Sequence, residues 1–299
     1  MKHYFRVLPA AQAKRKSLFA AWLSGLSMTS WLILANILAF FVFIALSVFF
    51  PASASGESLL VDYSALNSVN IFEKGYFWTL LTSMFLHIAP FHLFVNMFSL
   101  FFLGKFLEML IGRKRFFWLY ILSGLFAGLF FAALAYFFGG TSAIAGRIFG
   151  NPDTFALGAS GAIFAIAGVL ALLTPRNRVY LIAGPLIAII LQSIISLFVE
   201  SEAILSFLNV IITIYIFFSI FAIMSFSKKL RAIAIPLEMP FWLLPIVAIV
   251  PLVIIGLFVE LPIGNMAHLG GFIAGALYGI YLRLKYKRKT KIIEEYFSK

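Results

Sequence analysis

Leu157-Gly158-Ala159-Ser160-Gly161-Ala162-Ile163-Phe164-Ala165-Ile166-Ala167-Gly168-Val169-Leu170-Ala171-Leu172-Leu173 carries no charge and a single hydroxyl. A run this long and this apolar reads as a membrane span, expected over about Thr154–Leu173. Its one polar side chain, Ser160, sits near the head of the run between Gly158 and Gly161. Ser160 has two readings. It is a helix cap, or a serine bonded back to the turn before it. Alternatively it is a nucleophile, for which Gly158 supplies a turn closed to other residues and Gly161 keeps the approach clear. The stretch is not the Gly-x-Ser-x-Gly elbow of soluble hydrolases, because position 162 is Ala.

The rest of the chain agrees with a membrane setting. Of 299 residues, 63% are hydrophobic and 11% charged, and mean hydropathy is +1.05. A soluble domain would carry about a quarter charged residues. The expected class is therefore an all-α polytopic membrane protein. The chain has no cysteine, which removes disulfides, cysteine–zinc sites and a thiol nucleophile. The first apolar run follows a basic leader, residues 1–28, and is long enough to span, so it reads as a transmembrane helix and not as a cleaved signal.

Eight spans are expected: about Met28–Phe50, Phe91–Ile111, Phe116–Phe138, Thr154–Leu173, Val179–Val199, Ala203–Phe226, Phe241–Val259 and Gly264–Leu284. The net charge of +12 has a distribution that explains it. Basic clusters fall in the leader, after the second span (Arg113-Lys114-Arg115), after the fourth (Arg176, Arg178), after the sixth (Lys228, Lys229, Arg231) and in the tail. The opposite loops hold Lys74 and Arg147 against Glu57, Asp62, Glu73, Asp153, Glu200, Glu202 and Glu260. With eight spans every basic cluster lies on one side, which the positive-inside rule makes cytoplasmic. The excess charge thus reports topology in the cell membrane, with both termini inside, and implies no nucleic-acid partner.

Polar groups at membrane depth are costly and usually mark function. His268 stands near the outer end of the eighth span, in Asn265-Met266-Ala267-His268-Leu269-Gly270-Gly271. Gly271, Gly275 and Gly279 recur every fourth residue beyond it, a face on which another helix packs closely. Spans four and eight run in the same direction, so Ser160 and His268 share a depth. A histidine in hydrogen-bond reach of a serine activates it as a nucleophile. No acid occurs in either span, so a dyad is all that is on offer. His92 and Asn96 lie one turn apart on one face of the second span. They read equally as an interhelical hydrogen-bond pair or as oxyanion-hole donors. Glu108, between Gly104 and Gly112, reads as structural, pairing with Lys105 or with Arg113–Arg115. His87 has no partner four residues away and reads as a loop or packing residue. Together His87, His92 and His268 leave zinc as a weaker alternative.

These residues resemble a family. Gly158-Ala159-Ser160-Gly161, His92-Leu93-x-x-Asn96, Gly104-x-x-x-Glu108-x-x-x-Gly112, and Ala267-His268-Leu269-Gly270-Gly271 with Gly275 are similar to the motifs of the rhomboid intramembrane serine proteases. The resemblance implies Ser160 as nucleophile and His268 as general base. It implies an oxyanion hole of His92, Asn96 and the Ser160 N–H, no cofactor or metal, and transmembrane protein substrates met within the bilayer. It is incomplete at three places. Thr79 follows Trp78 where the family often has arginine, and Phe164 stands where it often has tyrosine. The family core also usually passes directly from a stretch like Pro175–Tyr180 to one like Met239–Trp242; here two apolar segments intervene. The expected organisation is a leader (1–28), a core of four spans (29–181), an inserted hairpin (182–226), the last two core spans (227–284) and a basic cytoplasmic tail (285–299). An insertion of two spans keeps His268 on the side of Ser160; one would remove it. The other classes are a catalytically inactive rhomboid-like protein that binds transmembrane clients and, more weakly, a transporter. A transporter usually shows buried charges and broken helices in pairs, which, Glu108 apart, these spans lack.

Overall fold

A computed structural model of the protein describes residues 25–50, 58–225, 227–258 and 264–297. Most of the expected leader and the loop positions Pro51, Glu57, Glu260 and Pro262 lie outside the described residues.

The fold is mostly helical. Helix α1 (Met28–Ser47) begins behind the cap residue Ser27, whose hydroxyl accepts from Ser30 N. Three short helices follow in a packed loop: α2 (Leu59–Ser64), α3 (Ser68–Phe72) and α4 (Thr79–Thr82). Helix α5 (Pro90–Ser99) opens with a proline, which needs no intrahelical donor at that position. It continues through a π-helical turn, Leu100–Gly104, into α6 (Lys105–Ile111). Gly112, at φ +85°, turns the chain into α7 (Arg113–Phe138). A short α8 (Ala143–Phe149) precedes the central helix α9 (Ser160–Leu173).

Helix α9 is the core. Only Ser160, Phe164 and Leu172 of its residues are not buried. Helix α14 (Asn265–Lys285) lies directly against it. A Cβ at Gly271 would overlap the carbonyl of Gly161, one at Gly275 the backbone of Ala165, and one at Gly279 would touch Leu172. These pairings rise together along both chains, so α9 and α14 are parallel, as the charge argument requires. The glycine face of α14 exists because two backbones approach where no side chain fits. On the other side α7 meets α9, where Gly161 abuts Ala127.

Glu108 has partners other than those expected. Its carboxylate accepts from the N–H groups of Met28 and Thr29, both at 2.8 Å, and from the Thr29 hydroxyl at 2.7 Å. It caps the first helix, satisfying donors that a helix start leaves open and placing negative charge at the positive end of the dipole.

Among the described residues, four helical stretches are long and apolar enough to cross a bilayer: Met28–Ser47, Pro90–Ile111, Arg113–Thr141 and Glu202–Ile223. Ser160–Leu173, Ala183–Ile195 and Leu244–Gly256 are apolar but shorter. The expected fourth, fifth and seventh spans are therefore longer than the helices found. Before α9, residues 154–159 run as loop, with Leu66 and Ala156 exchanging backbone hydrogen bonds of 3.1 and 2.7 Å. The expected fifth span splits into a strand, β1 (Arg178–Ile182), and helix α10 (Ala183–Ile195).

That strand closes the base of the segment that follows it. β1 pairs antiparallel with β2 (Pro236–Pro240), from Arg178 opposite Pro240 to Ile182 opposite Pro236. The pairing continues at one end through Phe241 N to Asn177 O at 3.0 Å, and at the other through Ala183 N to Ile235 O at 3.2 Å. Two prolines keep β2 out of a helix, and on an edge their missing N–H groups cost no ladder bond. Between the strands lie α10, α11 (Glu202–Met224) and α12 (Lys228–Ile233). Gln192 of α10 donates to Asn209 of α11, and the Phe217 ring of α11 packs on Phe94, centroids 4.8 Å apart.

The ladder joins Ile182 directly to Pro236, so removal of the segment between them is expected to leave the flanks paired. Replacing residues 183–235 by an Asn-Gly turn suits a two-residue hairpin. It is expected to cost the remaining helices no more than an ordinary core substitution, about 1–2 kcal/mol. Cooperative unfolding of the purified deletion variant checks this; an aggregated or non-cooperative product overturns it.

After α13 (Leu244–Gly256) and α14, the expected basic tail instead forms helix α15 (Lys287–Tyr296) and folds back. Glu294 accepts from Arg283 at 2.9 Å and lies 3.8 Å from Arg176, while Phe297 meets Phe106 edge-on.

Candidate active site

The loop entering α9 is held from both sides. Gly158 N donates to Ser83 O at 2.8 Å, and Gly158 has φ +110°, a conformation only glycine takes readily. Two residues later α9 begins. Its cap position is Ala159, with no side-chain cap bond, so Ser160 does not cap the helix. Its Oγ lies instead 2.9 Å from Nε2 of His268.

His268 stands in the first turn of α14. The Phe164 ring, one turn along α9 from Ser160, stacks on the imidazole with centroids 4.3 Å apart and planes within 16°. The ring contact expected at this position is thus made by phenylalanine, without a hydroxyl. Nε2 faces Ser160, while Nδ1 is buried and has no hydrogen-bond partner among the described residues. Among the described residues no carboxylate completes a triad. The pair can hand a proton from hydroxyl to imidazole, which is what nucleophilic activation needs.

His92 and Asn96 converge on the same loop. A Cβ at Gly158 would stand 2.7 Å from His92 Cε1, 2.8 Å from His92 Nε2 and 3.3 Å from Asn96 Nδ2. Glycine is therefore needed here twice, for its backbone angle and for the space. The Ser160 N–H belongs to the first turn of α9, where N–H groups have no intrahelical acceptor. His92 and Asn96 thus lie against the loop that leads into Ser160.

His87 is where sequence reasoning fell short. It is fully buried, its ring centroid lies 5.0 Å from that of His92, and its Nε2 is 3.0 Å from Asn96 Nδ2. The hint available was two histidines and an asparagine within ten residues; the i+4 test missed it because the partner lies nine residues on. Among the described residues no group of three or more His, Cys, Asp or Glu could hold a metal ion. Thr79, at the expected arginine position, is buried with its hydroxyl donating to Tyr76 O at 2.7 Å.

Residues 74–214 match the family model described as the Rhomboid domain. That stretch carries a rhomboid domain. The stretch matched to the rhomboid model holds His92, Asn96, Glu108 and Ser160 but ends before His268, which joins the site only through the packing of α14 on α9. The chain is 33% identical over 144 residues to the rhomboid protease GluP of Bacillus subtilis (strain 168), covering 46% of this chain and 25% of that protein. It is 36% identical over 80 residues to inactive RHOMBOID-like protein 8 of Arabidopsis thaliana, covering 27% and 23%. It is 32% identical over 120 residues to RHOMBOID-like protein 1 of the same plant, covering 40% and 27%. The chain thus spans about a quarter of the length of these rhomboid relatives.

Proposed function

We propose that this protein is an intramembrane serine endopeptidase that cleaves transmembrane segments of other membrane proteins through a Ser160–His268 dyad. The observation that carries the reading is the 2.9 Å contact between Ser160 Oγ and His268 Nε2. Ser160 attacks the scissile carbonyl and its proton passes to His268. His92, Asn96 and the Ser160 N–H stabilise the oxyanion. The tetrahedral intermediate collapses, His268 protonates the leaving amine, and an acyl-enzyme remains. Water, deprotonated by His268, attacks the ester and releases the acid and Ser160.

The short central helix supports an intramembrane location. Its 14 residues extend roughly 21 Å, less than the ~30 Å of hydrocarbon to be crossed. With its Arg176–Arg178 end at the cytoplasmic face, Ser160 stands below the outer surface, reached by water through the loop region above it. A substrate helix hides its carbonyls in its own hydrogen bonds and must unwind locally to present one. It approaches from the bilayer between α5–α6 and α13, a side flanked by the inserted hairpin through Phe217 on Phe91 and Phe94. The reading includes both termini on the cytoplasmic side of the cell membrane, and a core of residues 29–181 and 227–284.

A second reading is a client-binding protein without activity. It draws support from the relative named inactive and from Thr79 and Phe164. A fluorophosphonate probe separates the two. The protease reading expects covalent labelling at Ser160, lost in His268→Ala; an unlabelled but folded wild-type protein overturns it.

A further inference from the structure

The network around Asn96 extends one residue beyond the expected site, to His87. This histidine lies in the loop before α5, is wholly shielded from solvent, and has no place in the catalytic steps above. Its ring is bonded at both nitrogens. Nδ1 faces the carbonyl oxygen of Phe85 at 3.3 Å, and Nε2 faces Asn96 Nδ2 at 3.0 Å. A carbonyl oxygen can only accept, so the Nδ1 proton is donated to Phe85. Nε2 is then a lone pair, and Asn96 must be the donor to it. Burial, reinforced by the neighbouring His92, holds His87 well below the ordinary imidazole range, to about 4, so the ring is neutral near pH 7 and keeps that lone pair.

An asparagine amide offers both donors and an acceptor, and a free amide turns either way. Here one N–H of Asn96 is taken by His87. The same nitrogen lies on the Gly158 side, since a Cβ there would be 3.3 Å from it. The amide is thus held with nitrogen toward the loop before Ser160, leaving its second N–H unclaimed by His87. Turned over, the amide would aim its oxygen at the developing oxyanion, repelling the charge it is meant to stabilise.

We propose that His87 is a positioning residue that locks the Asn96 amide with its donor side toward the oxyanion. The inference rests on the protease reading of the site. Losing one oxyanion-hole donor typically costs about 100- to 1,000-fold in kcat; releasing the lock without removing the donor should cost less, roughly 10- to 100-fold.

The test uses the full chain in liposomes with a transmembrane reporter substrate. His87→Leu fills similar space but cannot accept, whereas His87→Gln presents an acceptor at about the Nε2 distance. Expected are a fall of roughly 10- to 100-fold in kcat for His87→Leu with KM nearly unchanged, and recovery of most of it in His87→Gln. In an Asn96→Ala background His87→Leu should add little, because coupled residues are not additive. The melting midpoint of each variant is read alongside. The proposal is overturned if His87→Leu keeps wild-type kcat, if Gln is as slow as Leu, or if the losses at His87 and Asn96 multiply. A wild-type protein that neither cleaves nor labels at Ser160 sinks the protease reading and this proposal with it. An active wild type with an indifferent His87 sinks the proposal alone.

Discussion

Cleavage of a transmembrane reporter is expected to fall by at least ~10,000-fold when Ser160 is replaced by Ala, with the protein still folded. The loss is large because Oγ is the atom that forms the new bond, and the dyad has no second nucleophile. The fold should survive for reasons visible in the site. Ser160 caps nothing, and among the described residues its side chain bonds only His268. Alanine is a better helix former than serine at the head of α9. Against that stands the unpaired His268 Nε2, a cost of about 1 kcal/mol. The melting midpoint should therefore shift little in either direction. Activity near wild type in Ser160→Ala would end the serine-protease reading.

Gly275→Val is expected to produce the opposite signature, a collapse of stability that takes activity with it. A side chain at Gly275 runs into the backbone of Ala165, and backbone cannot move aside as a flexible side chain can. Helices α9 and α14 would have to separate, breaking the helix contact that brings His268 to Ser160. The expected cost is about 4 kcal/mol or more, beyond the usual range for one substitution. Gly140→Ala is the control, since its Cβ would meet nothing closer than Pro152 at 3.8 Å. Thermal unfolding of the wild type and these two variants in one detergent decides the matter. A Gly275→Val protein as stable as the control would mean that the close approach is not needed.

The site was legible to different depths. Ser160, His268, His92 and Asn96 stood out because polar groups are scarce in an apolar chain, so each is conspicuous. His87 lay in the same short stretch but was set aside, because its partner is presented by the fold of the loop and not by helical spacing. Glu108 was read as structural while its partners were misassigned: nearby cations are visible in sequence, whereas the N-terminus of α1 becomes a neighbour only after folding. Val179–Ile182 was read into a span because its residues are hydrophobic, and Arg178 into the basic cluster before it. Arg178–Ile182 became a strand because a second segment with two prolines lies beside it.

By itself, the sequence determined the class of the protein. Apolar runs must be helical in lipid, and charge distribution sets which ends share a side, so Ser160 and His268 had to meet at one depth if they met at all. Only the tertiary structure decided that they do meet, and how. The 2.9 Å contact depends on two helix backbones touching at Gly161–Gly271 and Ala165–Gly275. It also decided where helices stop short of the span length and where an insertion is tied off by a ladder. Those outcomes turn on non-local contacts between segments more than fifty residues apart, which local pattern does not encode.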